Sequence, residues 1–414
     1  MFSALFKFLS QYMGFRQMSL QDLKEQEQHQ PAFPFFERNG LNEQDRIACE
    51  DFARGEYPEC IIRPTAQQGW CSYTLSISYK YTHLRDPNHR RVDSACDMET
   101  PLQLSASHVP RINALDADED MILQFRPPSY SLNIPIASSA KDIYSSFAPS
   151  TSYLGNIPAT NGSQLLIYSQ TRISGDNYAT IHPKLQHLAQ SQVAMQRNLI
   201  TSFVDFLACG WRHGIEQPDQ IQKCDGKVGA ILQQKIAKAS RELPSAKLRR
   251  VASRVLRALE TGEVGKLPVT LCHGDLIPTN VMVSPVREAE ARIEGLVDWA
   301  EAEWLPFGTC LYGLEYFLGY YDDTGTAGGR WIYYDHAEEL RDHFWRELGS
   351  RLAIEENTRE EWRANVTAAR DMGVILWFGY AWDDGRIDRV VGGSDVTEVR
   401  CLEAFLGVEE RMRV

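Results

Sequence analysis

The octapeptide HGDLIPTN, residues 273–280, places His273, Asp275 and Asn280 inside one short loop. An apolar run, LPVTLC, enters that loop and another, VMVS, leaves it, so both flanks read as strands. The stretch RIEGLVDWAEA follows and reads as a further strand ending in Asp298. Its pairing with the run after the loop predicts a hairpin-like unit that carries Asp275, Asn280 and Asp298 at one end. Hard oxygen ligands and a carboxylate then converge, and Mg²⁺ is a cation held by one or two protein oxygens with substrate phosphates completing the shell. An aspartate five residues ahead of an asparagine permits a division of labour: one side chain takes a proton from a substrate hydroxyl while the other holds the metal. HGD alone is an ordinary turn signature. Asn280 at this spacing and Asp298 at the end of the second strand are what raise it above one.

The elements that must position these residues fall into two textures. Residues 60–172 carry short β-type runs, CIIRP, WCSYTLSISYKY, MILQFRP and QLLIYSQTRI, separated by turn-rich segments. From 184 onward the periodicity is helical, with Leu185, Leu188, Ala189, Val193, Leu199, Ile200, Phe203 and Phe206 on one stripe. A second amphipathic helix stripes Leu248, Val251, Ala252, Val255 and Leu259 opposite a basic face of Lys247, Arg250, Arg254 and Arg257, which reads as solvated. TGEVGKLP, 261–268, has Leu267 where a Walker loop needs Ser or Thr and reads as a helix end followed by a turn. The Ser- and Pro-rich segment from Pro128 to Gly155 reads as a long loop. NEQDRIACEDFARG predicts a helix, and MFSALFKFLSQYMGF an N-terminal amphipathic one that docks on its own protein or a partner, touches a membrane surface or serves as a targeting segment.

Composition removes several classes of function. The chain has 414 residues, 43% hydrophobic, and a formal charge of −12, which supports a real core and argues against nucleic acid as a partner. Its nine cysteines form no CxxC pair, so neither a zinc site nor a disulfide scaffold is indicated, and a cytoplasmic setting is expected. No apolar run approaches the roughly 20 residues that a transmembrane helix needs.

HGDLIPTNVMV followed by IEGLVDWAEAEWLPFG resembles the catalytic segment of the aminoglycoside phosphotransferase and choline kinase family, relatives of the protein kinases, whose loop is written H-R-D-L-x-x-x-N with a later Asp on Mg²⁺. The resemblance spans residues 55–410 and implies an α+β, two-lobed, protein-kinase-like fold. The expected divisions are an N-terminal extension at 1–45, a β-rich N-lobe at 46–172 and a mainly helical C-lobe at 173–414, with substrate-side helices from 335. The sequence is also similar to phosphotransferase-like proteins of filamentous fungi, some tied to secondary metabolism, through GYAWDDGRIDRVV. The family's logic makes Asp275 the catalytic base, Asn280 and Asp298 the Mg²⁺ ligands, and His273 either a brace or a general base. ATP and Mg²⁺ are the implied cofactors.

The first lobe departs from the family pattern. The phosphate cover is TAQQGWCSYTL, with Gly69 and Ser72, and the third strand offers Gln124 or Arg126 where a lysine belongs. Its helical acid would be Asp142 or one from DADED. Past Asp298, Thr309 and Cys310 stand near the place of a loop-supporting Asp, which leaves Glu301 or Glu303 for that task. Seven of the nine tryptophans lie at or after Trp299, and VILWFGYAWDD predicts a helical segment carrying Trp377, Tyr380 and Asp383 or Asp384 toward substrate. An aromatic lining suits an aromatic, apolar or cationic small molecule. An aminoglycoside would call for many converging acids, and the acids here are scattered. The expected function is ATP- and Mg²⁺-dependent phosphorylation of a small-molecule hydroxyl. The alternatives are nucleotide-independent acid–base chemistry of a cyclase or condensing type on the same fold, through Asp275 or His273, and a non-catalytic binding protein.

Overall fold

A computed structural model describes residues 33–65, 68–79, 120–215, 224, 226–284, 290–324, 329–381, 383 and 387–408. The N-terminal amphipathic stretch, Asp384 and all of DADED except Asp120 lie outside the described residues. The chain divides into two compact units, one containing the described residues from 33 to Ser131 with Thr151–Arg172, the other Leu132–Ser150 with the described residues from Ile173 onward. A β-sheet lobe and a helical lobe are therefore both present, as an α+β chain of this class requires.

The sheet unit begins with helices α1 (Phe33–Arg38) and α2 (Glu43–Glu56). The Asn42 side chain accepts the Gln44 N–H at 2.8 Å, and Asp45 accepts the Asn42 N–H at 2.8 Å, a reciprocal cap that fixes the start of α2. Asp45 also accepts the Thr160 N–H at 2.7 Å and its hydroxyl at 2.6 Å, tying the helix to the sheet. Five antiparallel strands follow: β1 (Cys60–Pro64), β2 (Tyr73–Tyr79), β3 (Met121–Arg126), β4 (Thr151–Pro158) and β5 (Gln164–Thr171), ordered β1-β2-β3-β5-β4. Side chains alternate along a strand. Leu123 and Phe125 accordingly enter the core with Leu75, Ile77 and Ile167, which leaves Gln124 and Arg126 together on the other face.

In the helical unit, α3 (Ile134–Tyr144) replaces much of the long loop expected at 128–155, and β4 takes its end. Asn133 caps α3 by accepting the Ile136 N–H, and Pro135 sits in the first turn, where its missing N–H costs nothing. The long helix α4 (Gln190–Arg212) carries the expected stripe from Val193 onward, but starts after Leu188 and Ala189 and after Leu185, which is 61% exposed. Helices α5 (Leu232–Glu242) and α6 (Ala246–Glu260) pack beside each other, with Leu248, Val251, Ala252, Val255 and Leu259 inward. TGEVGKLP forms the expected helix end and turn, with Gly262 at φ +78. Short strands β6 (Asp176–Asn177), β7 (Val269–Cys272), β8 (Val281–Val283), β9 (Ile293–Leu296) and β10 (Glu303–Pro306) form two small sheets, β6-β8-β9 and β10-β7. A third pair, β11 (Gly319–Asp322) and β12 (Arg330–Tyr333), precedes α7 (Ala337–Arg351), α8 (Arg359–Phe378) and α9 (Val396–Phe405). No described helix is long and apolar enough to cross a membrane.

Candidate active site

The two strands that flank the octapeptide belong to different sheets. β7 pairs with β10, where Cys272 lies opposite Glu303, whereas β8 pairs with β9 and β6. The loop is thus the crossing between two sheets, and Gly274 makes the turn. It adopts φ +78, and a Cβ there would lie 1.9 Å from the Glu301 carbonyl oxygen, so only glycine fits. Beyond it the Leu276 N–H donates to the Tyr312 hydroxyl at 2.9 Å, and a single turn, Pro278–Asn280, leads into β8.

The expected hairpin of β8 and β9 is present, with Val281 opposite Leu296. The Val297 N–H donates to the Asn280 carbonyl at 2.9 Å, which carries the register one step on, to the residue before Asp298. Asp298 itself has φ +62, a left-handed conformation that aspartate tolerates better than most residues. The Asn280 amide donates to the Asp275 carbonyl at 2.9 Å and to Asp275 Oδ2 at 3.0 Å. This fixes the amide and turns its oxygen away from Asp275. Asp275 is only 3% exposed, and its Oδ1 has no hydrogen-bond partner among the described residues. Burial, and then the nearby Asp298 carboxylate, push the Asp275 carboxyl well above the usual carboxylate range.

His273 is fully buried against Trp299, with ring centroids 4.6 Å apart. Its Nε2 lies 2.9 Å from the Val297 carbonyl, and its Nδ1 accepts the Asp275 N–H at 3.3 Å. Both nitrogens are engaged with backbone, which sets Nε2 as the protonated one. Burial pulls its pKa down to about 4 against the opposing effects of Asp298 and the Val297 bond.

Behind the loop, Glu303 accepts the N–H of Lys227 at 2.7 Å, of Val228 at 3.1 Å and of Gly229 at 2.9 Å. Burial raises the Glu303 pKa while these three donors oppose the shift. Glu301 pairs with Lys227 at 3.3 Å. The loop is therefore braced by Tyr312 and by the close passage of Glu301, while Glu303 holds the segment that carries Lys227. A cavity of about 140 Å³ opens beside Cys272 and Gly274, and Trp377 and Tyr380 line it. The helical segment expected to carry Tyr380 and Asp383 ends sooner: α8 stops at Phe378, and Tyr380 instead bridges Val390. Asp383 does not line the cavity, and its carboxylate takes the Arg389 guanidinium at 2.8 and 3.0 Å. Tyr312, Lys227 and Glu398 line the cavity too, and each lies in a segment with no local motif to mark it.

In the sheet unit, the turn before β2 is closed by a side chain. Gln68 accepts the Thr74 N–H at 2.8 Å and donates to the Thr65 carbonyl at 3.0 Å. Ser72 is buried with its hydroxyl 3.1 Å from that of Thr74, and a Cβ on Gly69 would meet the Ser72 oxygen at 3.0 Å. Gln124 is half-buried and Arg126 only 2% exposed on their shared face. Asp142 is exposed on α3.

Residues 114–309, a stretch that includes β3, β5, the loop and Asp298, match the family described as "Phosphotransferase enzyme family". The match supports reading the chain as a small-molecule phosphotransferase. Among solved structures, the chain is similar to an aminoglycoside-3'-phosphotransferase of type VIII at 13% identity and TM-score 0.36, covering 77% of this chain and 97% of that one. It is also similar to the choline kinase LicA from Streptococcus pneumoniae, at 10% identity and TM-score 0.38, over 86% of this chain and 98% of that one. A LicA complex with AMP gives 10% identity and TM-score 0.39, over 89% of this chain and 100% of that one. No curated protein matched.

Proposed function

We propose that this chain is an ATP- and Mg²⁺-dependent phosphotransferase acting on a hydroxyl of a small molecule. The observation that carries the reading is the constellation of buried Asp275 and Asn280 with half-buried Asp298, in which the Asn280 amide donates to Asp275 and its oxygen is left to a cation. The donor set is hard oxygen, which fits Mg²⁺. Among the described residues no group of three or more His, Cys, Asp or Glu gathers as a metal site, so an ion here takes two protein ligands, Asn280 and Asp298, and completes its shell from phosphate and water. When bound with ATP, Mg²⁺ supplies positive charge that neutralises the phosphates and offsets the burial that raises the Asp275 pKa.

In this reading Asp275 orients the acceptor hydroxyl and takes its proton as the oxygen bonds to the γ-phosphorus and ADP departs. Asn280 holds Asp275 in place, and His273 keeps the loop in register through Val297 and the Asp275 N–H. Gly69, Ser72, Gln124 and Arg126 belong to the nucleotide side of the same proposal, Trp377 and Tyr380 to the acceptor side. A cytoplasmic setting in fungal secondary metabolism belongs to it as well. Nucleotide-independent chemistry through His273 is disfavoured, because both ring nitrogens are engaged and the pKa is about 4.

The test is calorimetric titration with ATP and with ADP, each with and without Mg²⁺, repeated on Asp298→Ala. Metal-dependent binding that disappears in the variant is expected. Binding that is indifferent to both Mg²⁺ and Asp298 would remove the phosphotransferase reading.

A further inference from the structure

We propose that Cys272 and Cys310 form an oxidisable thiol pair at the foot of the loop 273–280, a modification site at which hydrogen peroxide closes a disulfide and displaces the loop. Cys272 is the last residue of β7, directly before His273, and Cys310 lies in the short helix Thr309–Leu314. The two meet across the packing of these elements. The Cys272 thiol donates to the Cys310 sulfur and accepts the Cys310 backbone N–H, and the Thr270 hydroxyl oxygen lies 3.8 Å from the Cys272 sulfur. Both are free thiols, 2% and 6% exposed. Both also line the cavity that opens beside Gly274, which gives a molecule little larger than water a way to them.

The pair divides the chemistry. Its hydrogen bond to Cys310, and then burial, hold the Cys272 thiol well above the ordinary thiol range, so Cys272 is the protonated partner and Cys310 the first nucleophile. The Cys310 sulfur, giving up its proton, attacks one peroxide oxygen; the O–O bond breaks, water leaves and a sulfenic acid remains. Cys272 then attacks that sulfur as its own proton passes to the departing hydroxyl. The S–O bond breaks and a second water leaves. Two thiols and one hydrogen peroxide become one disulfide and two waters, with two electrons passing from sulfur to oxygen. In a chain whose cysteine spacing shows no disulfide scaffold, such a bond has the character of a transient, redox-sensing one.

A disulfide is shorter than any thiol–thiol hydrogen bond, so β7 and the helix 309–314 must close on each other. The helix has little room to yield. A Cβ on Gly373 of α8 would lie 1.8 Å from the Thr309 carbonyl oxygen, and a Cβ on Gly313 would lie 3.0 Å from the Leu276 Cβ. The movement therefore falls on the loop, whose seat on this helix is the bond from the Leu276 N–H to the Tyr312 hydroxyl at 2.9 Å.

The full chain, without nucleotide, is treated with hydrogen peroxide, its remaining thiols are alkylated with iodoacetamide, and its peptides are mapped by mass spectrometry, with amide hydrogen exchange followed over residues 273–281. A Cys272–Cys310 cross-link that dithiothreitol removes is expected, together with Leu276 amide exchange faster by about tenfold in the oxidised chain. Cys310→Ser should abolish both effects. Cys224→Ser, which removes a further thiol beside Cys272, should abolish neither and keeps the test open should Cys310→Ser fail to fold. No cross-link, a Cys224–Cys272 cross-link in its place, or a cross-link with Leu276 exchange unchanged would each overturn the inference. These measurements need neither ATP nor an acceptor, so they stand or fall apart from the phosphotransferase reading. One consequence rests on that reading: displacement of Asp275 in the oxidised chain lowers turnover by about 10²-fold, and dithiothreitol restores it.

Discussion

Asp275 has one carboxylate oxygen held by Asn280 and the other buried without a partner. Asp275→Asn retains the size and the bond to Asn280 but loses the proton acceptor. Turnover is expected to fall by about 10²–10⁴-fold, the usual worth of a positioned general base, with the melting temperature undiminished, as steady-state kinetics and thermal denaturation would show. A smaller loss would displace Asp275 from that role. His182 sets a pH dependence of stability: buried with Nε2 2.9 Å from the Gly319 carbonyl, it is lowered by burial to about 3. The unfolded chain therefore takes up the proton first. Stability is full above the ordinary histidine range near 6.5 and is lost as pH falls from there toward 3, by at most about 1.4 kcal/mol per pH unit for this group. His273 adds the same sign down to about 4. Urea midpoints between pH 7 and 4 should fall less steeply in His182→Gln, and equal slopes would sink this account. His273, Asp275, Asn280 and Asp298 were legible because their spacing is local and the hairpin that joins them is short. Tyr312 and Glu398 were not, since each meets the site only through tertiary packing, and a tyrosine or glutamate among ordinary core and surface residues carries no positional signal.

Whole elements were misread where small residues carry the buried face. In α3 that face is Ala137, Ala140 and Tyr144, flanked by serines and a proline, so the composition suggested a loop while the packing made a helix. The end of α8 was overrun for the opposite reason: aromatic residues continue past Gly379, although the helical hydrogen bonds do not. The same helix gives a prediction that runs against propensity. Gly373 in α8 passes so close to the Thr309 segment that a Cβ would lie 1.8 Å from the Thr309 carbonyl oxygen. Gly→Ala inside a helix ordinarily stabilises by about 1 kcal/mol. Here Gly373→Ala is expected to destabilise by about 1–3 kcal/mol through overpacking, read by denaturant titration. A net gain in stability would show that the two segments part easily.

At the scale of the molecule, each unit has its own hydrophobic core, so strand alternation and helical periodicity could each be read without the other. What no pattern revealed is the charged centre of the helical unit. Glu315, 1% exposed, accepts from Arg341 at 3.0 Å, from the Tyr333 hydroxyl at 2.8 Å and from Arg370. These partners come from α7, β12 and α8, so a single carboxylate joins three elements. Two arginines flanking it keep its pKa below the usual range despite burial, the largest opposing influence. Glu315→Gln removes the carboxylate that both guanidinium groups share and leaves Arg341 to Glu338 and Arg370 to Asp371, and a loss of about 1.5–3 kcal/mol in unfolding free energy is expected. A loss below about 1 kcal/mol would mean that water reaches the arginines.

Glu303 has a consequence of a different kind. Its carboxylate fills a nest of backbone N–H groups at 227–229, and Gly226, at φ +114, lets the segment close so tightly that a Cβ would sit 2.4 Å from Glu303 Cδ. Such nests bind free anions. The protein has in effect built its own permanent guest into a receptor. Glu303→Ala would evict that guest, and exogenous formate should then act as a prosthesis, restoring melting temperature in the variant and doing nothing for the parent chain, whose nest is already taken.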